Sequence, residues 1–171
     1  MTKLILIRGN AASGKTSLAN ALQSQLGENT LLLSQDKLRR EMLLAHDGFD
    51  TPTIPLLKHL ITFGIANCGY IILEGILKAD WYAPVWDFIS QQSRLQVFAY
   101  YYDILPFEET LKRHSSRSKV EEFGEEALRK WWNEKDYIKI ISETSFDKTV
   151  TLQEALNYIL QDITKRSGLT S

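Results

Sequence analysis

KLILIRGNAASGKTSLANALQSQL, residues 3–26, is the stretch on which the fold turns. It opens with a strand-length apolar run, LILI, and closes with apolar residues recurring at helical spacing. Between them stands Gly9-Asn10-Ala11-Ala12-Ser13-Gly14-Lys15-Thr16, which satisfies GxxxxGK[ST]. The spacing has a physical reason. A chain that wraps around a phosphate turns several backbone amides inward, glycine supplies conformations and close approaches denied to other residues, and the following helix offers its positive end. Lys15 then reaches the outer phosphates and the Thr16 hydroxyl ligates magnesium. Gly9, Asn10, Ala11, Ala12, Ser13, Gly14, Lys15, Thr16 and Ser17 are therefore the candidate nucleotide-binding residues, with a nucleoside triphosphate and Mg2+ the implied ligands. The plain alternative is a glycine-rich turn with a helix-facing lysine, and the buried strand before it and helix after it weigh against that.

Outward from this junction, apolar runs of strand length alternate with longer stretches at helical spacing. Strands are expected at Lys3–Arg8, Thr30–Leu33, Tyr70–Leu73 and Gln96–Tyr102, with a fifth, weaker one near Thr144–Asp147. Four of the five are continuously apolar, as a strand covered by helices on both faces requires. The alternation predicts a doubly wound α/β domain, helices on both sides of a parallel sheet. Thr151 followed by Glu154 is a capping-box pair that opens a C-terminal helix, and Pro106 suits a helix's first turn. No repeat or Pro/Gly-rich linker divides the chain, so residues 1–171 are expected to form one domain.

Composition narrows the function classes. With 171 residues, 44% of them hydrophobic, the chain is long enough to build a core without a staple. Cys68 is the single cysteine, so no internal disulfide exists, and His46, His59 and His114 are too scattered to join it in a zinc cluster. A reducing, cytoplasmic setting is expected. Cys68 lies in an apolar stretch without a basic neighbour and reads as a small core residue, not a nucleophile. No stretch approaches the roughly 20 apolar residues that span a bilayer, so no membrane partner is expected. Lys plus Arg number 20 against 21 Asp plus Glu, a net charge of -1, which disfavours long nucleic acid as a partner because broad phosphate neutralisation needs a basic face.

After the second strand comes Ser34-Gln-Asp36-Lys-Leu-Arg39-Arg40. Together with the phosphate-binding loop, this segment resembles the P-loop kinases that phosphorylate hydroxyl groups, in particular the group containing polynucleotide 5'-kinases, chloramphenicol phosphotransferase and zeta toxins. The resemblance implies a five-stranded parallel sheet in the order 2-3-1-4-5 and a small-molecule hydroxyl acceptor. It also implies that Asp36 takes the acceptor's proton, while Arg39 or Arg40 clamps the acceptor or the moving phosphoryl. The competing reading of Asp36 is a helix cap with solvated arginines beside it.

Tyr70-Ile-Ile-Leu-Glu74-Gly75 closes a hydrophobic strand on an acid, like the element that touches magnesium through water, although the usual residue there is Asp. Glu74 is thus a candidate for the metal shell or the acceptor, and the implied strand order brings it beside Thr16. Lys78-Ala-Asp80-Trp81-Tyr82 is a candidate acceptor wall, though aromatics near strand ends are more often core. After the fourth strand, YYDILPFEETLKRHSSRSK resembles the arginine-bearing lid of the same kinases, spanning about 106–133. Arg113 and Arg117 are four apart, one face of a helix, and are the candidate lid arginines over the β and γ phosphates. Trp131 and Trp132 read as hinge packing. A GTP switch is disfavoured, since Asn133-Glu-Lys-Asp136 departs from N-K-x-D at its second residue and no D-x-x-G occurs. The expectation is an ATP- and magnesium-dependent kinase acting on a small-molecule or nucleotide-like hydroxyl. The alternatives are a partner-regulated ATPase switch and a polynucleotide 5'-hydroxyl kinase.

Overall fold

A computed structural model describes residues 1–104, 136–147 and 149–168. Five strands form one sheet: β1 (Thr2–Gly9), β2 (Thr30–Ser34), β3 (Tyr70–Gly75), β4 (Leu95–Ile104) and β5 (Glu143–Asp147). They lie in the order β2-β3-β1-β4-β5 and every neighbouring pair is parallel, the topology expected above. The helices are α1 (Lys15–Leu26), a short α2 (Gln35–Lys37) that continues as a π-helical turn over Leu38–Met42, α3 (Thr53–Asn67), α4 (Ala83–Ser90) and α5 (Leu152–Gly168).

The unbroken apolar character of β1 has a direct structural cause. Leu4 and Leu6 point to one face of the sheet, where they meet Leu57 and Ile61 of α3 and Val85, Trp86 and Ile89 of α4. Ile5 and Ile7 point to the other, against Leu18, Ala19 and Leu22 of α1 and Leu156, Ile159 and Ile163 of α5. Each successive side chain is fully buried on alternate sides, so neither face tolerates a polar alternation. Burial of this kind contributes about 1.5–3 kcal/mol per large apolar side chain, which fixes β1 as the spine of the molecule.

The C-terminal helix starts as its sequence predicts. The Thr151 amide and hydroxyl both donate to Glu154 Oε2 at 2.8 Å, and the Glu154 amide donates back to Thr151 Oγ1 at 3.2 Å. Those bonds to the ionised carboxylate hold Glu154 below the usual glutamate range. Cys68 departs from expectation. It ends α3 with extended backbone and is partly exposed, and its carbonyl accepts from the Thr2 hydroxyl at 3.0 Å. Among the described residues, no helix is long and apolar enough to cross a membrane.

Candidate active site

The turn from β1 to α1 is built from backbone. Gly9 sits at φ 141°, Ala12 at 59° and Gly14 at 99°, so three residues of the loop lie at positive φ. Gly9 also lies against β4: a Cβ there would stand 2.9 Å from Tyr102 Cβ and 3.0 Å from the Tyr102 carbonyl oxygen. Space and conformation both require glycine. Gly14 caps α1 in the left-handed conformation, and a Cβ on it would meet nothing within 4 Å, so its requirement is conformational alone. Lys15, the first residue of α1, is 6% exposed and folds its ammonium back over the loop, donating to the Asn10 carbonyl and to Ser13 Oγ. Asn10 and Ser13 are themselves buried.

Thr16 stands one residue further along. Its hydroxyl lies 3.3 Å from both oxygens of Glu74, which is 3% exposed at the end of β3. The sheet order makes this meeting: β3 pairs with β1, Ile7 opposite Glu74, so the strand-end acid emerges next to the helix that the loop feeds. A hydroxyl and a carboxylate paired at the mouth of an amide-lined bend form an oxygen donor set suited to magnesium. Among the described residues no group of three or more His, Cys, Asp or Glu offers an alternative cation site.

Asp36 follows β2 by two residues, at the same end of the sheet as the loop: Ser34 stands opposite Glu74 and Glu74 opposite Ile7. Ser34, not Asp36, is the N-cap residue of α2, and no side chain caps that helix. The carboxylate instead pairs with the two arginines that follow it. Oδ1 accepts from Arg39 Nη2 at 2.7 Å, and Arg40 Nε stands 2.9 Å from the same oxygen. The side chain of Asp36 is half-exposed (49%), whereas that of Arg39 is nearly buried (11%). Arg39 is held from behind, donating from Nη1 to the Ala45 carbonyl at 3.1 Å with Nε 3.8 Å from Asp47 Oδ2. Asp47 in turn accepts from the Tyr82 hydroxyl at 2.7 Å and from Gln35 Nε2 at 3.2 Å, while Gln35 also donates to the Tyr82 oxygen at 2.8 Å. Burial foremost, and then the Asp47 charge, keep the Tyr82 phenol protonated well above its ordinary range. Tyr82 is wholly buried and serves as scaffold, and Trp81, beside it, is half-buried with the Lys78 ammonium 4.4 Å from its ring centre.

Residues 2–56, which carry the phosphate loop and Asp36, match the chloramphenicol phosphotransferase-like proteins. No curated protein matches the chain by sequence. Solved structures do match over nearly its whole length. The gluconokinase of Sinorhizobium meliloti superposes with a TM-score of 0.68 at 12% identity, covering 99% of this chain and 97% of that one. The APS kinase of Mycobacterium tuberculosis, in complex with AMPPNP and APS, gives 0.65 at 19% identity over 94% and 96%. The shikimate kinase of Acinetobacter baumannii, in complex with shikimate, gives 0.58 at 19% over 97% and 94%. The chain has the P-loop kinase fold.

Within that fold, the structure adds a residue that the motifs do not single out. Arg8, the last side chain before the phosphate loop, is completely buried. Its Nε and Nη2 donate to the Leu77 carbonyl at 3.0 and 2.8 Å, and its Nη1 donates to both Glu143 oxygens and to the Asp136 carbonyl, each at 2.9 Å. Nη2 also donates to Asp136 Oδ2 at 2.9 Å, and the rings of Trp86 and Tyr101 flank the guanidinium at 5.5 and 5.3 Å. Burial is the main influence on Glu143 and pushes its carboxyl up, while Arg8 leads the forces opposing that shift. One buried cation thus ties β1 to β5, to the loop after β3, and to Asp136. The signal available in sequence was an arginine closing an otherwise apolar strand, a position where an unpaired charge would be very costly. The candidate lid arginines Arg113 and Arg117, the segment 106–133 and Trp131 and Trp132 lie outside the described residues.

Proposed function

We propose that this P-loop kinase fold transfers the γ-phosphoryl of ATP to a hydroxyl group of a small molecule, with magnesium. The reading is carried by one observation: a half-exposed aspartate, Asp36, paired with two arginines just after β2, at the same sheet end as a glycine loop with Lys15 and a Thr16–Glu74 pair. Phosphoryl transfer needs a positioned hydroxyl, a partner for its proton and offset of negative charge, and little else from the protein. These residues supply all three.

In the proposed reaction the backbone amides from Gly9 to Thr16 and the Lys15 ammonium bind the β and γ phosphates. Thr16 and Glu74 would hold magnesium, which when bound offsets phosphate charge and fixes the phosphate tail. Asp36 orients the acceptor hydroxyl and accepts its proton as the new oxygen–phosphorus bond forms and the bond to the bridging β,γ oxygen breaks, leaving ADP. Arg40, the more exposed of the two arginines at 31%, is proposed to meet the moving phosphoryl, while Arg39 holds Asp36 in place. Arg113 and Arg117 are proposed to complete the charge offset from the lid. That the matched kinase structures include acceptors such as shikimate and APS supports a small polar alcohol as the class of substrate.

The test is a pool of hydroxyl metabolites incubated with ATP and Mg2+, with mass detection of phosphorylated product. One or a few compounds are expected to gain a phosphoryl group while ATP is consumed. ATP turnover that needs no hydroxyl compound, or that requires a protein partner, would replace the kinase reading with an ATPase switch.

A further inference from the structure

The loop from Leu43 to Pro52 carries the second half of the site, and its backbone is under constraint. Leu44 stands at φ 49°, Gly48 at 146° and Asp50 at 57°, two of them non-glycine residues in the left-handed region. Such a loop keeps its shape only where its surroundings over-determine it. Asp47 supplies the determination. Its Oδ1 accepts from Tyr82 Oη at 2.7 Å and from the Gly48 amide at 3.2 Å, and its Oδ2 accepts from Gln35 Nε2 at 3.2 Å. Both side-chain donors are buried, Tyr82 as the residue that caps α4 and Gln35 as the first residue of α2, packed against Gly75 so closely that a Cβ there would stand 2.9 Å from Gln35 Cβ. Asp47 Oδ2 also stands 3.8 Å from Nε of Arg39, an ion-pair contact beyond hydrogen-bond reach, while the other Arg39 nitrogens hold Asp36 and the Ala45 carbonyl.

We propose that Asp47 is a positioning residue: anchored by Tyr82 and Gln35, it fixes the Arg39 guanidinium, and Arg39 in turn holds the Asp36 carboxylate in one orientation toward the acceptor. This inference rests on the reading of Asp36 as the acceptor's base. Asp47 acts on Arg39 through charge across 3.8 Å, and the planar guanidinium passes its placement on through the directional Nη2 bond to Asp36 and the Nη1 bond to the Ala45 carbonyl. A buried phenol and a buried amide spent on one partly exposed carboxylate make an expensive way to pin a loop that apolar packing could pin as well, so the arrangement is explained by what it presents to Arg39.

The experiment compares Asp47→Asn with wild type in the full chain. Asn keeps the shape of the side chain and can still accept from Tyr82, but its amide faces Gln35 and Arg39 with the wrong polarity. Two readouts are needed. The first is the NMR signal of the Arg39 Nε–H, assigned by its disappearance in Arg39→Lys; it is expected to shift or broaden in Asp47→Asn, while the Trp86 indole N–H, bonded to the Ala79 carbonyl at 2.9 Å, stays in place as a fold control. The second is transfer to whichever hydroxyl compound the metabolite pool identifies: kcat is expected to fall about tenfold with KM for ATP unchanged, since a small displacement of a reacting group is enough for that loss. Tyr82→Phe, which removes one anchor and leaves the carboxylate, should move both readouts in the same direction by less, and serves if Asp47→Asn does not fold. An Arg39 signal unmoved in both variants, or moved with kcat unchanged, overturns the proposal. A wild-type chain that phosphorylates no hydroxyl compound overturns the kinase reading on its own, and the NMR signal still decides for or against the Asp47–Arg39–Asp36 coupling.

Discussion

The two halves of the site are made of different materials. From Gly9 to Thr16 the work is done by backbone: positive-φ residues, a close pass against Tyr102 and a helix start, with Lys15 bonded to the loop's own Asn10 and Ser13. From Gln35 to Asp47 a short helical turn runs into irregular backbone and the shape is held by side chains, a chain of contacts from Tyr82 through Asp47 and Arg39 to Asp36. A phosphate tail is the same in every nucleoside triphosphate, so a fixed backbone cradle suits it. An acceptor differs from one kinase to another, and side chains can be exchanged without rebuilding the sheet. Arg8 stands one residue before the loop and is bonded to the Leu77 carbonyl, just after β3.

Breaking the junction should have the largest effect. Arg8→Met removes the cation and leaves Glu143 buried without its partner, and a loss of about 3–5 kcal/mol in denaturant unfolding is expected. The pH dependence has a definite sign. Burial already raises the Glu143 pKa, and losing Arg8 removes the leading opposing influence, so the folded variant takes up a proton more readily than the unfolded chain. A group with a raised folded pKa favours folding below its unfolded pKa and loses that contribution as pH rises through the folded value. The deficit of Arg8→Met relative to wild type should therefore be greatest at neutral and higher pH and shrink toward pH 4, and the double variant Arg8→Met/Glu143→Gln should recover much of it. A pH-independent deficit would show that packing of the guanidinium, not its charge, matters here.

Gly9→Ala tests the backbone half alone. The methyl group would overlap Tyr102 at a positive φ, and a loss of about 3 kcal/mol is expected by thermal or chemical unfolding, with weakened ATP binding in whatever remains folded. Lys15→Ala should leave stability nearly unchanged but weaken ATP binding about a hundredfold in calorimetric titration, the cost of losing a charge-assisted contact to phosphate. Equal ATP affinity would contradict the cradle. The smallest effect belongs far from both halves. Glu154→Gln should lower the melting temperature slightly near pH 7, and because the Glu154 pKa is depressed in the folded state, the difference should vanish as pH falls through that value.

This difference in materials also governs what could be read from sequence. A backbone cradle needs glycines at fixed spacing, so residues 9–16 announce themselves, and apolar runs flanking them identify β1 and α1. The meeting of Thr16 with Glu74 followed from strand order, because in a parallel sheet the ends of neighbouring strands emerge side by side. The side-chain half was only partly legible. Asp36 and its arginines are neighbours in sequence, but Asp47 reads as a turn residue before a glycine and Tyr82 as core until the fold brings them together across 35 positions. The partners of Arg8 were hidden for the same reason at greater range, its carboxylates lying 128 and 135 residues away, although an arginine closing an apolar strand was itself a signal. Cys68 misled through its apolar neighbours, since its place was set by the end of a helix and not by the core.

The most direct test of the division into cradle and acceptor side is Asp36→Asn, measured for ATP affinity and for single-turnover transfer in one preparation. ATP binding within about twofold of wild type, with transfer to the identified hydroxyl slowed by about a hundredfold or more, is the predicted result. Transfer at the wild-type rate would remove Asp36 from the reaction and the division with it.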